Sequence, residues 1–182
     1  AVKALQGVVG AGWVLTADQG RDAYAGIYAP GPETLWGASG AVAPSTVEEV
    51  QAVVRIANEH KLPLWTVARG KNLGYGTAAP RMPGCMVLDL GRMDKILELD
   101  PELGFCVLEP GVGFLDLYER IQREKLPLMM SVPGNGWGSV LSNALDHGIG
   151  YTPYGLHAKN LCGIEAVLGN GDLVRTGLGA ME

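Results

Sequence analysis

The sequence has little charge and lacks the features of a nucleic-acid-binding or membrane-spanning protein. Only 18% of its 182 residues are charged, the formal net charge is -5, and no run of Lys and Arg occurs. An acidic chain without a basic patch is not a general nucleic-acid binder. No stretch approaches the ~18 consecutive apolar residues that a membrane-spanning helix needs. We therefore expect neither nucleic acid nor a membrane as a partner, and the pattern leaves cytoplasm and periplasm both open.

Cysteine is scarce, and its spacing predicts no metal site. Cys85, Cys106 and Cys162 lie far apart, each in an apolar run that resembles a strand. This spacing does not fit any common metal motif. The favoured interpretation is three buried, reduced thiols.

Internal repeats and low-complexity linkers are also missing, and 47% apolar residues suffice for a core. Helical periodicity alternates with short strand-like runs, which predicts a fold of the α+β class. Helices are expected at residues 1–9, 18–24, 45–60, 112–125 and 140–146. Strands are expected at residues 41–44, 63–68, 85–90, 95–100, 105–109, 163–168 and 172–176.

Three local patterns sharpen these expectations. Ser45 and Glu48 have capping-box spacing at the start of the third helix. In the helix at 112–125, the expected buried side carries Leu115, Tyr118, Ile121 and Leu117. Asn170-Gly171 between two strand-like runs predicts a hairpin.

A first glycine loop, residues 69–76, follows the strand at 63–68. It carries Gly70, Gly74 and Gly76 among Arg69, Lys71 and Asn72. Glycines let a backbone approach a phosphate closely and direct N–H groups at it. The spacing fits neither Gly-x-Gly-x-x-Gly nor the P-loop. Phosphate binding and an ordinary glycine-rich turn therefore both stay open from the residues alone.

A second glycine loop, residues 133–139, leads into the short helix at 140–146. The N-terminus of a helix favours anions, because its free N–H groups and its dipole point the same way. Ser139 and Asn143 are well placed to donate there, although Ser139 is equally suited to act only as an N-cap. Two such loops about sixty residues apart suit a ligand with two phosphates.

Four strings together resemble the flavin-binding domain of the vanillyl-alcohol oxidase and p-cresol methylhydroxylase family. They are Arg69-Gly-Lys-Asn-Leu-Gly-Tyr-Gly76, Glu109-Pro-Gly-Val112, Gly148-Ile-Gly-Tyr-Thr-Pro-Tyr-Gly155 and Val167-Leu-Gly-Asn-Gly-Asp172. The Gly-Tyr-Thr-Pro-Tyr-Gly string resembles the branch that oxidises 4-alkylphenols. The resemblance implies a two-lobed FAD-binding domain, with an N-terminal helical segment at 1–40 and lobes at 41–100 and 101–182. Members of the family are longer, so we expect an incomplete domain that lacks the cap domain.

The resemblance also implies the cofactor, FAD, and the residues that hold it. In the first glycine loop these are Arg69, Gly70, Lys71, Asn72, Leu73, Gly74 and Tyr75. In and after the second glycine loop they are Pro133, Gly134, Gly138, Ser139, Asn143, Gly150, Tyr151 and, beside the adenine end, Ile164.

Tyr75 is the expected catalytic residue, because it matches a family tyrosine that hydrogen-bonds the phenolate oxygen of the substrate. The implied reaction moves a hydride from the para side chain of a 4-substituted phenol to the flavin and leaves a quinone methide. A packed aromatic side chain beside the loop is the alternative role of Tyr75. The implied electron acceptor is oxygen or a cytochrome partner, and we expect a homo-oligomer or association with the rest of the enzyme.

Two positions depart from the family pattern. Leu156 stands where phenol oxidisers of the family carry an acidic residue, and Gly37 stands where some relatives carry a histidine that supports covalent flavin attachment. His157 is favoured as a satisfied loop histidine over a proton relay. The departures leave two alternatives open: a related FAD oxidoreductase with a different aromatic or alcohol substrate, and a non-catalytic flavin-domain fragment that acts in binding or association.

Overall fold

A computed structural model describes residues 1–25, 37–71 and 78–177. The largest of the described sheets contains four strands: β1 (Val14–Leu15), β2 (Ala41–Val42), β3 (Leu64–Val67) and β4 (Met86–Asp89). Their order is β1-β2-β4-β3, in which β1 is antiparallel to β2 and the other neighbours are parallel. The predicted strand at 63–68 is therefore confirmed, and it forms one edge of this sheet.

Three helices accompany the sheet, α1 (Val2–Val9), α2 (Ala17–Ala23) and α3 (Val47–Glu59). A short 3₁₀ turn at Ala11–Trp13 leads from α1 into β1. The first core contains Leu5 of α1, Val42 of β2 and Val53 of α3, each fully buried. The helix α3 thus crosses from β2 to β3 and covers the sheet, as a parallel connection requires.

The start of α3 differs from the sequence expectation by one residue. Its N-cap is Thr46, whose hydroxyl accepts the Glu49 N–H at 3.2 Å. The Glu49 carboxylate accepts the Ser45 N–H at 2.6 Å. The predicted capping box of Ser45 and Glu48 is therefore wrong, because Thr46 and Glu49 have the same spacing and are the pair that closes the first turn.

A second group of elements contains the hairpin of β5 (Ile96–Asp100) and β6 (Phe105–Leu108) and the helix α4 (Phe114–Arg123). Its core is formed by Val112, Leu117 and Ile121. Leu115 and Tyr118 were expected on the buried side, but they are 39% and 50% exposed. The hairpin contacts the side that carries Leu117 and Ile121, so the neighbouring apolar stripe faces outward.

The last described elements are α5 (Val140–Leu145), a 3₁₀ turn at His157–Asn160, and the hairpin of β7 (Glu165–Val167) and β8 (Leu173–Arg175). The predicted hairpin is confirmed, and Gly171 has a positive φ of 85°, which favours glycine. The hairpin contacts α3. Gln51 Nε2 donates to the Gly171 carbonyl oxygen at 2.8 Å, and Asn58 Nδ2 donates to the Gly169 carbonyl oxygen at 2.6 Å.

The cysteines are free, but not all are buried. Cys85 is buried, Cys106 is half-buried and Cys162 is exposed. The prediction of a buried thiol is therefore wrong for Cys162, which lies in the connection before β7 and not in a strand. Among the described residues, no helix has the length and apolar character needed to cross a membrane, and none of their His, Cys, Asp and Glu side chains cluster as a metal site.

The α+β class is confirmed by this mixture of helices, one mixed sheet and two antiparallel hairpins. The division at residues 40 and 100 stays a prediction. Contacts that cross it include β1 with β2, α1 with α3, β5 with β6, and the last hairpin with α3.

Candidate functional site: a cleft between two glycine loops

A cleft of about 300 Å³ lies between the first glycine loop and the start of α5. The sheet side is formed by residues 65–71. The other lining residues are Leu90, Pro110, Ser139, Leu141, Ser142, Leu145 and Asp146. The structure thus brings Arg69, Gly70, Lys71 and Ser139, all predicted as cofactor-binding residues, to one concave surface.

The two glycine loops also contact each other directly. Asn135 Nδ2 donates to the Lys71 carbonyl oxygen at 2.7 Å. The Oδ1 atom of the same side chain accepts the Trp137 N–H at 3.0 Å. A single amide therefore joins two segments that are 64 residues apart in the chain.

Arg69 is held by the N-terminus of α4. Its Nη1 atom lies 2.5 Å from Asp116 Oδ2, and the same carboxylate oxygen accepts the Gly113 N–H at 2.8 Å. A Cβ atom at Gly113 would overlap the Arg69 guanidinium, so glycine is what allows this approach. Gly113 in turn forms an antiparallel β-bridge with Ser139. The Arg69–Asp116 ion pair therefore lies beside the second glycine loop.

Ser139 is buried and caps α5. Its hydroxyl oxygen accepts the Ser142 N–H at 3.1 Å and donates its hydrogen to the Pro110 carbonyl oxygen at 2.6 Å. The N-cap interpretation is therefore confirmed. Because the hydroxyl hydrogen is committed to Pro110, a contact of Ser139 with a cofactor stays a prediction.

A half-buried polar network surrounds the buried side chain of His157. Thr152 Oγ1 donates to Ser131 Oγ at 3.0 Å, and His157 Nε2 lies 3.0 Å from the same oxygen. His157 Nδ1 lies 2.5 Å from Asn143 Oδ1. Since the Thr152 hydrogen occupies Ser131 Oγ, the Ser131 hydrogen faces Nε2, and the neutral His157 carries its hydrogen on Nδ1.

Both ring nitrogens of His157 are thus partnered, as expected of a satisfied histidine. Burial lowers the pKa of His157, because desolvation disfavours the imidazolium. Gly150 makes room for this network, since a Cβ atom there would overlap Ser131 Oγ and lie 2.8 Å from His157 Nε2. Asn143 directs its amide oxygen to His157 and is not among the described residues that line the cleft.

The remaining predicted residues have different surroundings. Asn72, Leu73, Gly74 and Tyr75 lie outside the described residues. Gly138 and Gly150 are buried, Pro133 and Ile164 are half-buried, and Gly134 is exposed. Tyr151 is 90% exposed. Leu156 is half-buried and pairs in a β-bridge with Ile149, and Gly37 is half-buried.

Three residues of this region did not emerge from the sequence. Asp116 and Asn135 hold the two loops, and Trp65 lines the cleft with a buried indole N–H that has no partner in the described part of the chain. The capping position of Asp116, three residues after Gly113, is a signal that the sequence contains. Nothing local indicates that its carboxylate meets Arg69.

The chain belongs to the FAD-binding-domain family, because the profile of a family described as "FAD binding domain" matches residues 38–177. Within it, the chain is a flavoprotein of the vanillyl-alcohol oxidase and p-cresol methylhydroxylase type, as its relatives show. It is 43% identical over all of its 182 residues to the flavoprotein subunit of a hydroxylating 4-cresol dehydrogenase from Pseudomonas putida, of which it covers 35%.

Two solved structures agree with this assignment. A crystal structure of p-cresol methylhydroxylase with substrate bound is 43% identical and superposes with a TM-score of 0.94 over 98% of this chain and 35% of that one. A 4-ethylphenol oxidase from Gulosibacter chungangensis, in complex with isoeugenol, is 35% identical with a TM-score of 0.94 over 99% of this chain and 35% of that one. The chain spans about a third of the length of these relatives.

FAD is the cofactor of this family, and the cleft fits its diphosphate. The cleft volume is at the lower end of the range for small-molecule sites. Arg69 and Lys71 bring two cations to the wall of the cleft. Anionic oxygens are the partners that such groups require.

Proposed function

We propose that the chain is the FAD-binding portion of an oxidoreductase that oxidises the para side chain of a 4-substituted phenol. The observation that carries this proposal is the cleft, which is lined by both Arg69–Lys71 and Ser139. It occurs in a chain that is 43% identical, over all of its residues, to a 4-cresol dehydrogenase subunit. The second relative, a 4-ethylphenol oxidase, acts on the same class of phenol by its name.

In this proposal, the described residues bind and orient the cofactor. Backbone N–H groups of the first glycine loop approach the diphosphate, and Arg69 and Lys71 neutralise its charge. The second glycine loop and Gly150 line the rest of the cofactor, with Tyr151 beside it and Ile164 near the adenine. Bound FAD supplies the electron sink that accepts a hydride from the substrate.

Tyr75 is the proposed donor to the phenolate oxygen. A phenol bound as the phenolate can release a hydride from its para side-chain carbon, which leaves a p-quinone methide that water or another nucleophile attacks. Donors around the phenolate oxygen favour its ionised form and hold the ring in place. Tyr75 would act with donors from other parts of the enzyme.

The electron acceptor is proposed to be a cytochrome partner or oxygen. The name of the first relative as a subunit supports an assembly with another chain, whereas the second is named as an oxidase. Exposed apolar side chains of the second half, Met129, Trp137, Ile149, Tyr151 and Tyr154, support association with a further portion of the enzyme or with a second copy.

The test uses the full polypeptide that carries residues 1–182, purified with FAD and kept without oxygen. A 4-alkylphenol should bleach the visible flavin absorbance, whereas its O-methyl ether should not, because the ether cannot form a phenolate. A protein that binds FAD but is bleached equally by both compounds would contradict the phenol mechanism. A protein that binds no FAD would contradict the cofactor site.

A different aromatic or alcohol substrate is the second candidate, and Leu156 is the observation that favours it. This half-buried apolar side chain stands where the family resemblance predicts an acid. Bleaching by a non-phenolic aromatic alcohol and not by 4-alkylphenols would support this candidate. Binding of FAD without bleaching by either class would support a purely binding role.

A further inference from the structure

We propose that Asp116 is a positioning residue for the cofactor, because it holds the Arg69 guanidinium at the wall of the cleft in the orientation that a diphosphate needs. This inference rests on the proposed FAD site. It assigns a role to an acidic residue of α4 that does not itself line the cleft.

One carboxylate oxygen of Asp116 accepts two hydrogen bonds. Asp116 Oδ2 accepts both the Gly113 N–H and an N–H of Arg69 Nη1. The first bond fixes the carboxylate at the N-terminus of α4, where the helix dipole favours a negative charge. The second fixes the guanidinium, whose path is open because Gly113 lacks a Cβ atom.

Arg69 keeps further donors when it is held in this way. A guanidinium has five N–H groups in a planar fork. Within the described residues, Asp116 is the partner of Nη1, and Nε and Nη2 have none. An arginine anchored on one side and unsatisfied on the other is suited to bind two phosphate oxygens without first losing side-chain freedom.

The ion pair is too exposed to serve mainly as a stabiliser of the fold. The side chains of Arg69 and Asp116 are 32% and 43% exposed. Pairs of this exposure contribute little to the free energy of unfolding, because water screens the charges and both side chains lose freedom. Orientation of Arg69 is therefore the property that Asp116 should control.

The bridge between Gly113 and Ser139 extends this arrangement to the second glycine loop. Phe114 N–H donates to the Gly138 carbonyl oxygen at 3.2 Å, and Leu115 N–H donates to that of Gly136 at 3.0 Å. The start of α4 thus runs along the second loop while Asp116 reaches the first. One helix N-terminus sets the distance between the two loops that face the cofactor.

The experiment compares Asp116→Asn with Glu119→Gln in the full polypeptide that carries these residues. Glu119 is exposed on the same helix, so its substitution removes the same charge without touching Arg69. The dissociation constant of FAD is measured on the apoprotein by flavin fluorescence, and ADP is used as a competitor. The free energy of unfolding of each apoprotein is measured in urea.

We expect Asp116→Asn to weaken the binding of FAD and of ADP by a similar factor of about ten, comparable to the loss seen when a residue that orients a metal ligand is removed. Glu119→Gln should change neither by more than about twofold. In an Arg69→Lys background, Asp116→Asn should have little further effect, because lysine lacks the planar fork. Asp116→Glu should recover part of the affinity.

Three results would overturn the proposal. The first is equal FAD affinity of Asp116→Asn and Glu119→Gln. The second is a loss for FAD without a loss for ADP, which would place the effect away from the diphosphate. The third is full additivity of the Asp116 and Arg69 substitutions. If the unsubstituted protein binds no FAD, the cofactor site fails and the role of Asp116 fails with it.

Discussion

The side chain of Asn135, in the second glycine loop, reaches the backbone of Lys71 in the first. Its Nδ2 atom lies 2.7 Å from the Lys71 carbonyl oxygen, and its Oδ1 atom accepts the Trp137 N–H. The amide therefore fixes one glycine loop on the other and fixes the turn of its own loop. Because this contact restrains both loops, it reduces the entropy lost when FAD binds.

Asn135→Ala should weaken the binding of FAD about fivefold, because the net contribution of one hydrogen bond is about 1 kcal/mol. The loss should appear in the dissociation constant, measured by fluorescence titration of the apoprotein. Asn160→Ala is the control, since Asn160 also donates its amide to one carbonyl oxygen, that of Tyr154, away from the described cleft. Equal affinities for the two variants would show that the contact with Lys71 does not prepare the site.

Tyr75→Phe should slow flavin bleaching by a 4-alkylphenol about a hundredfold, since one donor to a developing or bound oxyanion typically contributes this much. The measurement is the rate of bleaching in rapid mixing without oxygen. FAD affinity should stay within about threefold. Tyr118→Phe, on the exposed side of α4, serves as the control. If the two variants bleach at the same rate, Tyr75 does not donate to the phenolate oxygen.

Leu156→Asp should raise the turnover of 4-alkylphenols, because a carboxylate at this position can accept a proton during attack on the quinone methide. A positioned base contributes about a hundredfold or more in favourable cases. The matched control is Leu156→Asn, which has nearly the same shape and cannot transfer the proton. If both variants have the same steady-state rate as the unsubstituted protein, the proton is handled elsewhere.

His157 should make the fold less stable at mildly acidic pH. Burial lowers its pKa in the folded state below the ordinary value of about 6.5. The unfolded chain therefore binds more protons than the folded chain as the pH falls below about 6.5. The contribution to stability is complete above that pH and is lost progressively as the pH falls towards the folded pKa.

The measurement is the free energy of unfolding in urea at about pH 7.5 and about pH 5.5. His157→Gln should lower stability at the higher pH, because the bonds to Ser131 and Asn143 are altered, and should reduce the difference between the two pH values. His60→Gln, at the exposed end of α3, serves as the control variant. An undiminished pH difference in His157→Gln would show that other groups control it.

Elements with local signals were predicted well. The strand β3 is a short apolar run between a helix and a glycine loop, and the hairpin at Gly169–Gly171 has an Asn-Gly turn. Residues near each other in the chain decide both. The four strings that resemble the family then predicted that the two glycine loops bind the cofactor, and residues of both loops line the cleft.

Features that depend on distant partners were missed. The buried side of α4 is decided by the β5–β6 hairpin, so two adjacent apolar stripes could not be told apart and Leu115 and Tyr118 were misplaced. The contact of Arg69 with Asp116 spans 47 residues, and no periodicity encodes it. The capping error at Ser45 has another cause, since the overlapping pairs Ser45–Glu48 and Thr46–Glu49 have the same spacing and the sequence does not distinguish them.

The attachment of the last hairpin to α3 has a consequence for folding speed. The bonds from Gln51 and Arg55 to the Gly171 carbonyl oxygen span 120 and 116 residues. Such contacts form only after a long loop has closed, which is entropically unfavourable and slows folding. During synthesis, α3 emerges more than a hundred residues before the hairpin that covers its polar side. Completion of this pairing is therefore expected among the slow steps of folding, after the parallel sheet has formed.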